Sequence, residues 1–198
     1  KTKINIKEIP KYLVILIFLL ISSIPIYIPQ HLFGYSNIIF DKWTLPHLLW
    51  ILFIIIEILV LNKIFKNKPK EIKKILCLIL SLSLFLQYNQ MFGAISMSIK
   101  RLPFQLCNIG AYLILLSLIT ENKRIFNFTL IVNVIGVLFA LFLPDLDGEG
   151  LFYLYNMHFI FEHTNVLVVP LLALSLKLFP KLDQKALKDC LLGFTIYF

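Results

Sequence analysis

The sequence predicts an all-α integral membrane protein, a bundle of about seven transmembrane helices with its N-terminus in the cytoplasm and its last helix truncated. Three observations predict it. Of 198 residues, 59% are hydrophobic and only 15% charged, far more apolar than a soluble domain of this size requires. The apolar residues gather into runs about as long as a bilayer is thick. Finally, the 19 Lys and Arg residues divide unevenly between alternate loops, 16 on one side and three on the other. The net charge of +8 sits in short clusters between the runs, which suits anionic lipid headgroups as partners. Nothing resembles a nucleic-acid motif, no protein partner is indicated, and the expected location is the cell membrane, multi-pass.

Tyr12 to Ile28 is the first run, preceded by Lys1, Lys3, Lys7 and Lys11. It has no small-x-small cleavage pattern and is followed by further spans, so it reads as an uncleaved anchor rather than a signal peptide. Pro25 and Pro29 close it, and Gln30 to Lys42 forms a loop holding His31. Leu45 to Leu61 is the second run, with Pro46 in its first turn, where a missing N–H costs nothing, and His47 at the same end. Lys63 to Lys74 carries six lysines. The third run, Ile75 to about Ile99, is polar in its far half, where Gln87, Tyr88, Asn89 and Gln90 follow one another and must partly face protein or water. Run four is Phe104 to Ile119, run five Phe126 to Leu143, run six about His158 to Leu178, and run seven begins near Leu187. The whole reads as one transmembrane domain over 1–198. Because the first residue is lysine and the last run stops before it could span, the sequence is expected to be a fragment, with part of a further helix missing.

The positive-inside rule puts the N-terminus and the lysine-rich loops in the cytoplasm. His47, Gln87 to Gln90 and Cys107 then fall at outer helix ends, as do His158, Glu162 and His163. The acidic loop with Asp145, Asp147 and Glu149 also lies outside, and Glu57 alone sits past mid-depth. Scattered structural polar groups have no reason to share one depth.

Cys107 is the residue to explain. Behind Pro103 it sits about one turn inside a helix, near unpaired N–H groups and the positive end of the helix dipole, which favour thiolate. Taken alone, a cysteine in an apolar helix is a packing residue. His158 and Glu162, spaced i, i+4, share a face, whereas His163 lies about 100° further round. Each histidine could be merely interfacial, Glu162 could only cap or pair, and Asp145 after Pro144 could serve a solvated turn. Three chemistries can use the set. A Cys–His pair can run covalent acyl transfer, with an imidazole (His163, His158 or His47) taking the proton of Cys107 and amides of Gln105, Asn108 or Gln90 binding the oxyanion. A His/Cys/Glu cluster could bind a metal for lipid hydrolysis, although the His pair is spaced i, i+5, where one-helix ligands favour i, i+4. Polar groups among helices could instead line a solute path, or simply be structural. No ATP or CoA site is visible, no cofactor or metal is expected, and Cys107 has no disulfide partner at its depth, since Cys77 and Cys190 lie at the opposite ends of their helices.

Several segments together carry a resemblance: Leu102-Pro-Phe-Gln-Leu-Cys-Asn-Ile at a helix head, Leu45-Pro-His-Leu-Leu-Trp before it, Leu141-Phe-Leu-Pro-Asp and Phe159-Ile-Phe-Glu-His after it. Over roughly His47 to Leu178 the chain resembles the bacterial YwaF-type integral membrane family. That family is similar to the eukaryotic transmembrane protein 164 family, described as a cysteine acyltransferase that remodels ether phospholipids. The resemblance implies Cys107 as acyl-accepting nucleophile and His163 as its basic partner. Gln105 stands where the family often has histidine. The expected function is a membrane-embedded acyltransferase moving fatty acyl groups between phospholipids, or to a lipid-anchored acceptor, at the outer leaflet.

Overall fold

The structure, a computed structural model, describes residues 38–94, 106–144, 150–152 and 154–197, with backbone alone over 83–94 and 154–155. Six helices are described: α1 Leu45–Phe65, α2 Lys70–Ala94, α3 Leu106–Thr120, α4 Lys123–Phe142, α5 Leu154–Ser175 and α6 Gln184–Tyr197. The first apolar run, 12–28, lies outside the described residues, as do His31, Lys100, Arg101, Gln105, Asp145, Asp147 and Glu149.

Local chemistry sets the helix ends. Pro46 lies in the first turn of α1, and Thr44 precedes it in extended conformation. The turn between α3 and α4 is two residues long. Glu121 takes a left-handed φ of 52°, and the Asn122 side chain accepts from the N–H groups of Arg124 and Ile125. So short a link folds α3 and α4 into an antiparallel hairpin. At the end of α5, Lys177 has a left-handed φ of 62°. Its N–H donates to Leu174 O and that of Leu178 to Ala173 O, the paired bonds of a Schellman motif.

α5 is the central helix, packed against α1, α2, α3 and α4, while α4 also packs on α3 and α6. The core runs between them through Ile114, Leu118, Phe126, Val137, Val166, Val169 and Leu172, with Phe126 stacked on Phe179. α1 is the least covered: its Trp50 and Ile54 are buried, but Leu45, Leu49, Phe53, Leu59 and Ile64 are exposed. In an apolar solvent that exposure costs nothing. Among the described residues, three helices are long and apolar enough to cross a membrane, α1, α4 and Asn156–Ser175 of α5, and α3 is a shorter apolar helix. The all-helical membrane architecture is therefore present, and the described residues support three such spans where seven were expected.

One boundary near the site differs from expectation. α5 starts at Leu154, four residues before His158, because Leu154-Tyr-Asn-Met continues the helix upstream of the histidine. His158 thus lies one turn inside, and Glu162 and His163 lie near mid-helix, about 12–14 Å from its start. The shared outer depth inferred from sequence is corrected to a site reaching further down α5. On that same side, Ile39 bridges Gly150, and the Leu151 N–H donates to Ile38 O, tying the segment before α1 to the one before α5.

Candidate functional site

Cys107 occupies the first described turn of α3 and is half-buried. Its Sγ faces Gly136 of α4 so closely that a Cβ built on that glycine would lie 3.3 Å away. From α5, the Glu162 carboxyl is near enough to act electrostatically on both Cys107 and His163, and His158 acts on His163 in the same way. Glu162 is thus within electrostatic range of both thiol and imidazole.

The hydrogen bonds assign the imidazole roles. His163 is buried, and its Nδ1 lies 2.8 Å from Phe159 O, one turn back on α5. A carbonyl can only accept, so Nδ1 carries the hydrogen and the neutral ring has its lone pair on Nε2. The Phe159 ring packs against it at 4.1 Å between centroids and holds its orientation. His158 Nε2 lies 3.3 Å from Glu162 Oε2, the i, i+4 pair expected from spacing. Glu162 is buried, and its Oε1 has no hydrogen-bond partner among the described residues.

His47 has a different role from the one expected. It is fully buried; its Nδ1 accepts from the Trp43 N–H at 3.0 Å, and its Nε2 lies 2.9 Å from Leu141 O, to which it must donate. Both nitrogens are engaged, so His47 has no lone pair for a substrate or thiol proton. It fastens α1 to the end of α4, helped by edge contacts with Phe40 and Trp43 and by the Trp50 indole, which donates to Thr164 Oγ1 at 2.8 Å.

Of the other expected residues, Asn108 follows Cys107 on α3 and is half-buried, and Gln90 lies on α2 where only the backbone is described. Gln105 and Asp145 lie outside the described residues. All three cysteines are free. Among the described residues, no group of three His, Cys, Asp or Glu side chains could hold a metal ion.

Sequence reading passed over Asn133, Gly110, Gly136 and Pro170. Asn133 of α4 is fully buried, its Nδ2 donates to Val166 O on α5 at 3.2 Å, and its amide lies on Gly110 of α3, where any Cβ would overlap it. The available signal was an amide within an aliphatic span, at helical spacing from a glycine. No curated protein and no solved structure matches the chain. A family model does match it, the TMEM164 family, over residues 39–198. That stretch takes in every helix described above, the Cys107–Glu162–His163 neighbourhood included, and the chain belongs to the TMEM164 family.

Proposed function

We propose that this protein is a membrane-embedded acyltransferase that moves fatty acyl groups between phospholipids, or from a phospholipid to a lipid-anchored acceptor, through a thioester on Cys107. The observation that supports this reading is Glu162 of α5 within electrostatic range of both Cys107 and His163, together with a His163 whose Nδ1 is tied to Phe159 O and whose Nε2 keeps the lone pair. In the first half-reaction, His163 Nε2 takes the thiol proton as Sγ attacks the ester carbonyl. The tetrahedral intermediate collapses, and the proton passes to the departing lysolipid hydroxyl. In the second, an acceptor hydroxyl gives its proton to Nε2 and attacks the thioester, and the thiol is restored. Glu162 offsets the positive charge that His163 acquires in each half, with His158 holding its other oxygen. Asn108, and Gln105 and Gln90 with it, are the amides proposed for the oxyanion.

One ester is exchanged for another, so the overall reaction is near thermoneutral and needs no nucleotide. The loop charges support an N-terminus in the cytoplasm and about seven spans, an orientation in which Cys107 belongs to the outer leaflet. The test is purified protein with a phospholipid labelled in its acyl chain, followed by lipid analysis and intact-protein mass spectrometry. Wild type should transfer label and carry an acyl adduct. Cys107→Ala should lose both, and His163→Ala should lower transfer by about 10²–10⁴. Full transfer by Cys107→Ala would overturn the covalent mechanism.

A further inference from the structure

Pro170 sits inside α5, and a helix carbonyl ordinarily accepts from the N–H four residues on. For Val166 that residue is Pro170, which has no N–H, so its carbonyl is left without a helical donor in a medium that offers no water. Asn133 supplies the donor from another helix. The position of this bond matters. Along the antiparallel α3/α4 seam, Gly136 meets Cys107, and one turn deeper Asn133 meets Gly110. On α5, Val166 lies one turn beyond His163. Asn133 therefore touches all three helices one turn below the thiol and the imidazole, and it does so through a glycine that admits no other side chain and a carbonyl that a proline has vacated.

We infer that Asn133, with Pro170 and Gly110, is a pin that fixes the register of Cys107 against His163, which makes Asn133 a positioning residue for the proposed reaction. The pin stands on geometry alone, and only its effect on transfer rests on the acyltransferase reading. Removing the amide frees the Val166 carbonyl and opens the gap over Gly110. Replacing Pro170 by alanine returns an N–H to Val166 and pairs its carbonyl within α5, but it restores no bond between α4 and α5, so Pro170→Ala should leave a register loss at Asn133 unrescued.

The seating of α3 on α4, one side of that register, can be read without any lipid chemistry. A cysteine at position 136 would place its Cβ within disulfide reach of Cys107 Sγ. In full-length protein carrying Gly136→Cys, with Cys77 and Cys190 changed to serine, copper phenanthroline removes two electrons and two protons as the 107–136 disulfide forms. Mass spectrometry follows its rate. Asn133→Ala should slow crosslinking by about tenfold, Pro170→Ala alone should leave it near the starting rate, and the double variant should stay about as slow as Asn133→Ala. With Gly136 restored, Asn133→Ala should lower kcat of transfer by a similar factor at unchanged KM. If Asn133→Ala fails to yield folded protein, the isosteric Asn133→Leu replaces it in the same cycle. A double variant that returns to the starting rate would show that Asn133 only pairs the Val166 carbonyl, and that result, or an Asn133 variant that crosslinks at the starting rate, overturns the pin. A protein that completes the crosslinking cycle yet transfers no acyl group supports the pin and overturns the acyltransferase reading.

Discussion

Two histidines of similar appearance in the sequence have opposite chemical standing, and the difference lies in the Trp43 N–H that occupies the second nitrogen of His47. His163 gives up one nitrogen and keeps the other, whereas His47 gives up both. His47→Ala should therefore destabilise the fold by about 2–3 kcal/mol, through two lost buried hydrogen bonds and an unpaired Leu141 carbonyl, read as thermal unfolding in detergent. The surviving fraction should keep the pH profile of transfer, whereas His163→Ala should abolish it. Sequence spacing identified Cys107, Glu162 and both α5 histidines as worth attention because polar groups are rare in such spans. It could not tell base from fastener, because that depends on the Trp43 N–H and the Leu141 carbonyl, 94 residues away, which together occupy both nitrogens of His47, whereas His163 bonds the Phe159 carbonyl four residues back. Asn133 escaped notice for the same reason. Its meaning depends on a proline 37 positions downstream, and the link between them exists only once α4 and α5 are side by side.

Helix ends and helix contacts carry their own predictions. The Schellman turn after α5 places Lys177 at a left-handed φ that costs an L-residue with a side chain about 1 kcal/mol. Lys177→Gly should recover about that amount, seen as a higher unfolding temperature, less what glycine adds to the entropy of the unfolded chain. At the α4/α6 contact, a Cβ on Gly193 would drive into the Phe128 ring. Gly193→Ala should loosen α6, measurable as faster protease cleavage near residue 184, whereas the same change with Phe128→Ala should not. The apolar runs were legible because hydropathy and length act locally. The start of α5 was not, because Asn156, whose amide donates to Gly150 O, interrupts the apolar pattern while being buried among its neighbours.

Across the whole molecule, the lysine-rich end is held by ion pairs between loops. Lys74 and Lys70 both donate to Glu121, and Lys123 pairs with Asp183 at 2.9 Å. Hydrogen bonds from Lys74 and then Lys70 hold the Glu121 carboxyl below its ordinary range, and Lys123 does the same for Asp183. A carboxylate whose folded pKa is depressed adds stability above its unfolded value and loses it as pH falls through the folded one. The stability difference between wild type and Glu121→Gln should be constant above about pH 5 and vanish in acid. It should also shrink in high salt, because the pairs are exposed. If this end faces the cytoplasm, a cysteine introduced at Lys68 should resist an impermeant thiol reagent in intact cells.

The fastening of α1 also has a consequence in time. Its polar partners come much later in the chain, with 94 residues separating His47 from Leu141 and 114 separating Trp50 from Thr164. At ribosomal speeds of about 5–20 residues per second, α1 emerges roughly 5–20 seconds before anything it binds. During that interval its imidazole and indole must be shielded by lipid headgroups, water or an insertion factor. A nascent chain arrested before residue 141 should therefore leave α1 extractable or crosslinkable to the insertion machinery, and one arrested well after residue 175 should not. The order of synthesis makes the first described helix wait for α4 and α5 before it is secured.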